Sequence, residues 1–138
     1  YLRAHLNHLV ASDYFALLAY LEMRVEHDAA LQAIRHLVRD VKRVATCLGF
    51  GPRFLHSTGQ AYKGGPNSGL FLQITSEDAV DLPVPGQRYS FGVVQAAQAR
   101  GDFRVLAERG RRLLRVHLGA DVQAGLASLK SAMEQALS

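Results

Sequence analysis

A chain of 138 residues with 49% apolar and 20% charged side chains has the make-up of one folded domain and leaves no room for a second core. No apolar run nears the ~18 residues of a membrane span, and a single cysteine, Cys47, rules out an internal disulfide, which fits a reducing, cytoplasmic compartment. The formal charge of +4, with 13 arginines among 16 basic residues, suits an anionic partner. The one tight basic group, Arg109, Arg111, Arg112 and Arg115, lacks interleaved aromatics, which argues against a nucleic-acid surface.

The opening Tyr1-Leu2-Arg3 has neither a signal-peptide pattern nor an initiating methionine, so the chain is expected to be a fragment of a longer polypeptide. Leu2, Leu6, Leu9 and Val10 recur at helical spacing and predict a first helix, which Ser12-Asp13 breaks. Tyr14 to Leu21 is an unalternating apolar run, as expected of a strand covered on both faces. Asp28 to Val41 carries a helical stripe of Ala30, Leu31, Ile34, Leu37, Val38 and Val41. A second short apolar run, Val44 to Leu48, encloses Cys47, read here as a packing residue. Pro52 suits the first position of a helix reaching Lys63, where Gly64-Gly65-Pro66 stops it.

Leu70 to Thr75 predicts a third strand, followed by a loop over Ser76 to Arg88. Ser90 is placed to cap a helix that Gly101 ends, and Asp102 to cap a further short helix, Phe103 to Arg109. Leu113 to Leu118 reads as a fourth strand. A final helix from Asp121 sets Val122, Leu126, Leu129, Met133 and Leu137 on one face. Strands alternating with helices imply a parallel sheet of four to five strands in a three-layer α/β/α sandwich. In such sheets ligands bind beyond the carboxyl ends of the strands, so the loops beginning near Glu22, Gly49, Ser76 and Gly119 are the places to expect a site.

The stretch after the second strand is the most informative. On one continuous helix at ~100° per residue, Arg53, His56, Gln60 and Lys63 share a face, and Phe54, Leu55, Ala61 and Tyr62 take the opposite one. Two fixed cations, an imidazole and an amide suit an anionic, polyhydroxylated ligand. Gly49 and Gly51 are expected to let the backbone approach it. A merely solvated helix face is the alternative, but Ser57, Thr58 and Gly59 are poor residues for a plain mid-helix surface.

The segments Gly51-Pro52-Arg53-Phe54-Leu55-His56-Ser57-Thr58-Gly59-Gln60, Lys63-Gly64-Gly65-Pro66-Asn67 and Gly69 to Thr75 resemble the glucose-6-phosphate isomerase half of transaldolase/phosphoglucose isomerase fusion proteins. So do Asp81 to Gly86, Ser90 to Val93 and Ala97 to Asp102. The resemblance implies the second sugar isomerase (SIS) subdomain, with a flavodoxin-like sandwich. It implies interconversion of glucose 6-phosphate and fructose 6-phosphate by acid–base proton transfer through an enediol, with no metal or organic cofactor. His56 and Lys63 become the catalytic candidates, and Arg53, Ser57, Thr58 and Gln60 the substrate-binding ones. The implied partners are a sugar phosphate, an upstream isomerase subdomain, a transaldolase domain of the same polypeptide and a second copy in a homodimer. Nucleic acid and membrane are not among them.

The chain departs from the wider phosphoglucose isomerase pattern in three places. The second His of that family's motif is Lys63 here, its glutamate base corresponds to Gly49, and its C-terminal lysine motif has no clear match, the helix there carrying Gln95. Glu22 and Glu26 are the nearest alternative bases, with surface carboxylates the plainer reading. A non-catalytic SIS-like module, binding a sugar phosphate or forming a subunit interface, is the alternative function. His5 and His8, three apart on a helix, lack a third metal ligand. His117 reads as a hydrogen-bonded core residue, His27 and His36 as surface positions, and Glu77, Asp78 and Asp81 as carboxylates of a solvated loop, with the mouth of a site as the alternative.

Overall fold

Tyr14–Tyr20 forms β1, and six of its seven residues are buried. A strand whose side chains alternate between faces and are almost all apolar needs cover on both sides, and the rest of the chain supplies it. The computed structural model describes all 138 residues. In chain order they form α1 (Leu2–Leu6), β1, α2 (Val25–Lys42), β2 (Ala45–Phe50), a 3-10 turn (Arg53–His56), α3 (Thr58–Gly64), β3 (Gly69–Ser76), α4 (Phe91–Glu108), β4 (Arg112–Leu118) and α5 (Val122–Leu137).

The four strands are parallel in the order β2-β1-β3-β4. The central strands β1 and β3 are the apolar ones. The edge strands β2 and β4 are only partly buried. One layer holds α1, α2 and α5, packed on Phe15, Leu17 and Ala19 of β1 and Leu70, Leu72 and Ile74 of β3. The opposite layer holds α3 and α4, packed on Ala16, Leu18, Tyr20 and Phe71. The result is the expected α/β/α sandwich. No helix is long and apolar enough to cross a membrane.

Two local expectations fail, for physical reasons. The helix drawn from Pro52 to Lys63 is two short pieces that meet at Ser57, whose backbone (φ −137°, ψ −109°) is far from helical. A Cβ on Gly59 would come within 2.7 Å of the Phe54 carbonyl oxygen, so the chain doubles back tightly here. Gln60 Nε2 donates to the Leu55 carbonyl at 2.9 Å, satisfying an acceptor that a continuous helix would have paired. Conversely, Gly101 does not end a helix. Ser90 caps α4 as expected, its hydroxyl accepting from the Val93 amide, but the helix continues to Glu108. Ala99, Asp102 and Leu106 are buried along it, and this packing outweighs the ~1 kcal/mol that a mid-helix glycine costs against alanine.

Candidate functional site

Beyond the carboxyl ends of the central strands, β1 leads to α2 in one layer and the adjacent β3 leads to α4 in the other. Adjacent strands whose connections leave in opposite directions open a crevice between them. Here it encloses about 730 Å³. Its walls come from the loop after β1 (Glu22, Arg24), the first turn of α2 (His27), the end of β3 and the loop after it (Ser76, Glu77, Asp78), Gln95 of α4 and the start of α5 (Asp121, Gln123).

Each wall is fixed by the chain around it. His27, expected at the surface, is instead 7% exposed. Its Nδ1 lies 2.9 Å from the Glu22 carbonyl oxygen. A carbonyl only accepts, so Nδ1 carries the proton and Nε2 is the basic nitrogen. This bond closes the β1–α2 loop and sets Glu22 at the rim, where its carboxylate meets Arg24 at 3.7 Å with both side chains largely in water. Asp121 accepts from the Ala124 amide at 3.0 Å and caps α5. Asp81 accepts from the Gly92 amide at 2.9 Å at the start of α4. The Ser90 hydroxyl and that amide hold its carboxyl below the usual range. A Cβ on Gly92 would meet an Asp78 carboxylate oxygen at 2.1 Å, so Asp78 also rests against the first turn of α4. The crevice thus has an acidic, amide-lined wall with one guanidinium and one imidazole.

The residues singled out on the segment after β2 do not form one face. Arg53 lines a separate cleft of about 340 Å³ at the end of β2, with Asp28, Gln32 and Ser57, and its Nη1 reaches the Met23 sulfur at 3.2 Å. His56, Ser57, Thr58 and Gln60 are exposed. Ser57 and Gln60 bond the turn's own carbonyls. Lys63 points the other way, into the protein, where its ammonium lies 2.5 Å from Asp102 Oδ1. The break at Ser57 separates Arg53 and His56 from Gln60 and Lys63. Phe54 and Tyr62 do pack on the sheet, whereas Ala61 is exposed. Gly49 and Gly51 are both held by packing: a Cβ at 51 would lie 2.6 Å from the Tyr20 ring, and one at 49 would lie 3.0 Å from the Phe54 ring, while Gly49 also lines the Arg53 cleft.

Other positions also differ from expectation. His117 is exposed and not in the core, with Nδ1 2.8 Å from the Thr75 hydroxyl. His36 is partly buried and sits 2.6 Å from an Arg35 guanidinium nitrogen. His5 Nε2 is hydrogen-bonded to the Phe71 carbonyl at 3.0 Å, and no three His, Cys, Asp or Glu side chains converge on a metal-binding geometry. Cys47 is partly buried against the Tyr62 hydroxyl at 3.3 Å. Burial pushes its thiol pKa up, away from a reactive thiolate.

Sequence reasoning missed a polar network between the sheet and α4. Gln73 is fully buried in β3. It donates to the Ala99 carbonyl at 3.0 Å and accepts from Arg115 Nε at 2.7 Å. The Arg115 guanidinium also bonds that carbonyl and lies 4.4 Å from the Phe103 ring centroid. Nearby, the Tyr20 hydroxyl and Asp102 Oδ2 are buried without a hydrogen-bond partner. Burial first, and then the Asp102 charge, raise the Tyr20 pKa far above the usual phenol range. The signal available was Gln73 itself, an amide inside an otherwise apolar central strand.

No protein-family model matches the sequence, and no curated protein matches it either. Among solved structures, a hypothetical protein from Thermus thermophilus superposes on 99% of this chain with a TM-score of 0.77 at 18% identity. The chain spans about a third of that protein's length, 36%. Likeness at this identity establishes the α/β fold.

Proposed function

We propose that this chain is a sugar-phosphate isomerase module, similar to the second SIS subdomain of glucose-6-phosphate isomerases, and that its sugar site is the crevice between β1 and β3. The observation that carries the reading is the composition of that crevice. Glu22, Glu77, Asp78, Gln95 and Gln123 line a space of about 730 Å³ at the switch point, and carboxylates and amides are the groups that accept from and donate to sugar hydroxyls. The reaction moves a proton from C2 to C1 of the open-chain sugar, while a hydroxyl proton passes between O1 and O2 through an enediol. That requires one base beside the two carbons.

Gly49 stands where the resembling family has its glutamate, so the base comes from elsewhere. Glu22 is the carboxylate of the β1–α2 loop that lines the crevice. Glu26, the other sequence candidate, does not line it. His27 Nε2 on the same wall serves as the partner that donates to or accepts from a sugar oxygen. Arg53 and His56 flank the neighbouring β2 loop, and the upstream subdomain and second copy expected from the resemblance would close the site over them.

The test is turnover of fructose 6-phosphate, followed by coupled oxidation of glucose 6-phosphate. Glu22→Gln is expected to lower kcat by about a hundredfold or more, with KM little changed. Full activity in that variant would remove Glu22 as the base. Absence of turnover together with saturable binding of 6-phosphogluconate would favour the second reading, a non-catalytic sugar-phosphate-binding or interface module. The exposed apolar side chains Val80, Leu82, Tyr89, Phe91 and Val93 around the start of α4 favour that second reading.

A further inference from the structure

Beside the crevice runs a smaller groove, about 190 Å³, between α4 and the edge strand β4. At ~30 Å³ per water it holds about six waters, enough for a phosphoryl group. Arg100, Arg115, His117 and Thr75 line it, with Tyr20 on its wall. It shares Ser76, Asp78 and Gln95 with the crevice, so the two spaces are continuous.

Its two guanidiniums are not ion-paired. The ion pairs of the chain engage Arg24, Arg39, Lys63, Arg104, Arg112 and Lys130, but neither Arg100 nor Arg115. Arg115 is held in place by neutral groups alone: the Gln73 amide oxygen, the Ala99 carbonyl and the Phe103 ring. Burial above all, and then the neighbouring charge of Arg100, push its pKa down. His117 adds an imidazole whose Nδ1 is tied to Thr75, leaving Nε2 without a partner. The one carboxylate on the groove, Asp78, rests against Gly92 at the start of α4. That is some two helical turns, ~12 Å, from Arg100 along the helix. The groove is therefore acidic at the crevice end and cationic at the far end.

We propose that this groove is a phosphate subsite, in which Arg100, Arg115 and His117 take the phosphoryl group of a small polyhydroxy phosphomonoester whose hydroxylated end lies in the adjoining crevice. The inference rests on the sugar-phosphate reading above and gives the phosphate to side chains other than Lys63, whose charge is committed to Asp102. The Arg100 guanidinium offers the forked donors that match phosphate oxygens, and Arg115, whose Nε and Nη2 are engaged by Gln73 and Ala99, adds its Nη1.

Calorimetric titration with inorganic phosphate and with 6-phosphogluconate tests it, on the wild-type chain and on Arg100→Ala and His117→Gln. Both substitutions are at exposed side chains, and circular dichroism checks that the fold persists. Both ligands are expected to weaken about tenfold or more in Arg100→Ala, and 6-phosphogluconate to bind more tightly than phosphate. Unchanged affinity for 6-phosphogluconate in both variants overturns the subsite while leaving the sugar-phosphate reading intact. Phosphate binding that is lost in Arg100→Ala, with 6-phosphogluconate no tighter than phosphate, keeps the subsite and removes the sugar. No binding of either ligand at millimolar concentration overturns both.

Discussion

Lys63 and Asp102 join α3 to α4 through an ion pair whose acidic side chain is only 1% exposed. Removing one member of a buried pair leaves an uncompensated charge and costs about 3–5 kcal/mol. Lys63→Ala is therefore expected to lower the stability measured by urea denaturation by that order. The double variant Lys63→Met/Asp102→Leu should recover most of the loss, because it leaves no charge to desolvate. Should Lys63→Ala keep wild-type stability yet lose 6-phosphogluconate binding, the lysine would be a substrate ligand after all. A second buried carboxylate, Asp13, takes a fork from Arg112 at 2.7 and 2.9 Å and the Val10 amide at 2.9 Å. The Arg112 bond above all holds its pKa below the usual range. A depressed folded pKa adds stability that is fully present above the ordinary aspartate value of ~3.9 and fades as pH falls through the lower folded value. Denaturation midpoints between neutral and strongly acid pH should accordingly fall less steeply on the acid side in Asp13→Asn than in the wild type.

Among the helices and turns, glycine means two different things in this chain. Gly101 lies inside α4 with nothing within 4 Å of an added Cβ. Gly101→Ala is expected to stabilise the protein by about 0.5–1 kcal/mol, through a smaller entropy loss on folding. Gly51 lies against the Tyr20 ring, and Gly51→Ala is expected to destabilise by about 1–3 kcal/mol through overpacking. Thermal unfolding of the two variants should move in opposite directions, and stabilisation of both would show that local propensity, and not packing, rules these positions. The same contrast explains why the sequence misled at two helices. Glycine spacing in α4 suggested a stop where burial of Ala99, Asp102 and Leu106 carries the helix through. Helical spacing after Pro52 suggested one face where a tight return at Ser57 to Gly59 divides it.

The molecule is a single sheet with a core on each side, and neither core is complete without β1 and β3. Leu126 of α5 is fully buried in one layer and Leu106 of α4 in the other. Truncating either to alanine should cost about 2–5 kcal/mol and shift one common unfolding transition, since the shared strands couple the two layers. Two separate transitions in either variant would mean that the layers unfold independently. The site follows from this architecture. Its crevice exists because α2 and α4 are on opposite faces, and the cationic groove exists because β4 is an edge strand that leaves Arg115 and His117 beside α4.

The strands, the layers and the loops at which a site would form are legible in the order of residues. Apolar runs without alternation require two-sided cover, and alternating strands and helices require parallel crossovers, so the loops beginning near Glu22 and Ser76 could be read as the borders of a crevice from the order of residues alone. Which polar side chains meet was settled only by the packing of one element on another. Lys63 and Asp102, Gln73 and Arg115, and Thr75 and His117 are each about forty residues apart. Periodicity reports which face of its own element a residue occupies and says nothing of what another element brings to it. The pairing of Lys63 with a buried carboxylate, and the unpaired charge of Arg100 and Arg115, are consequences of how α3, α4 and β4 pack on one side of the sheet.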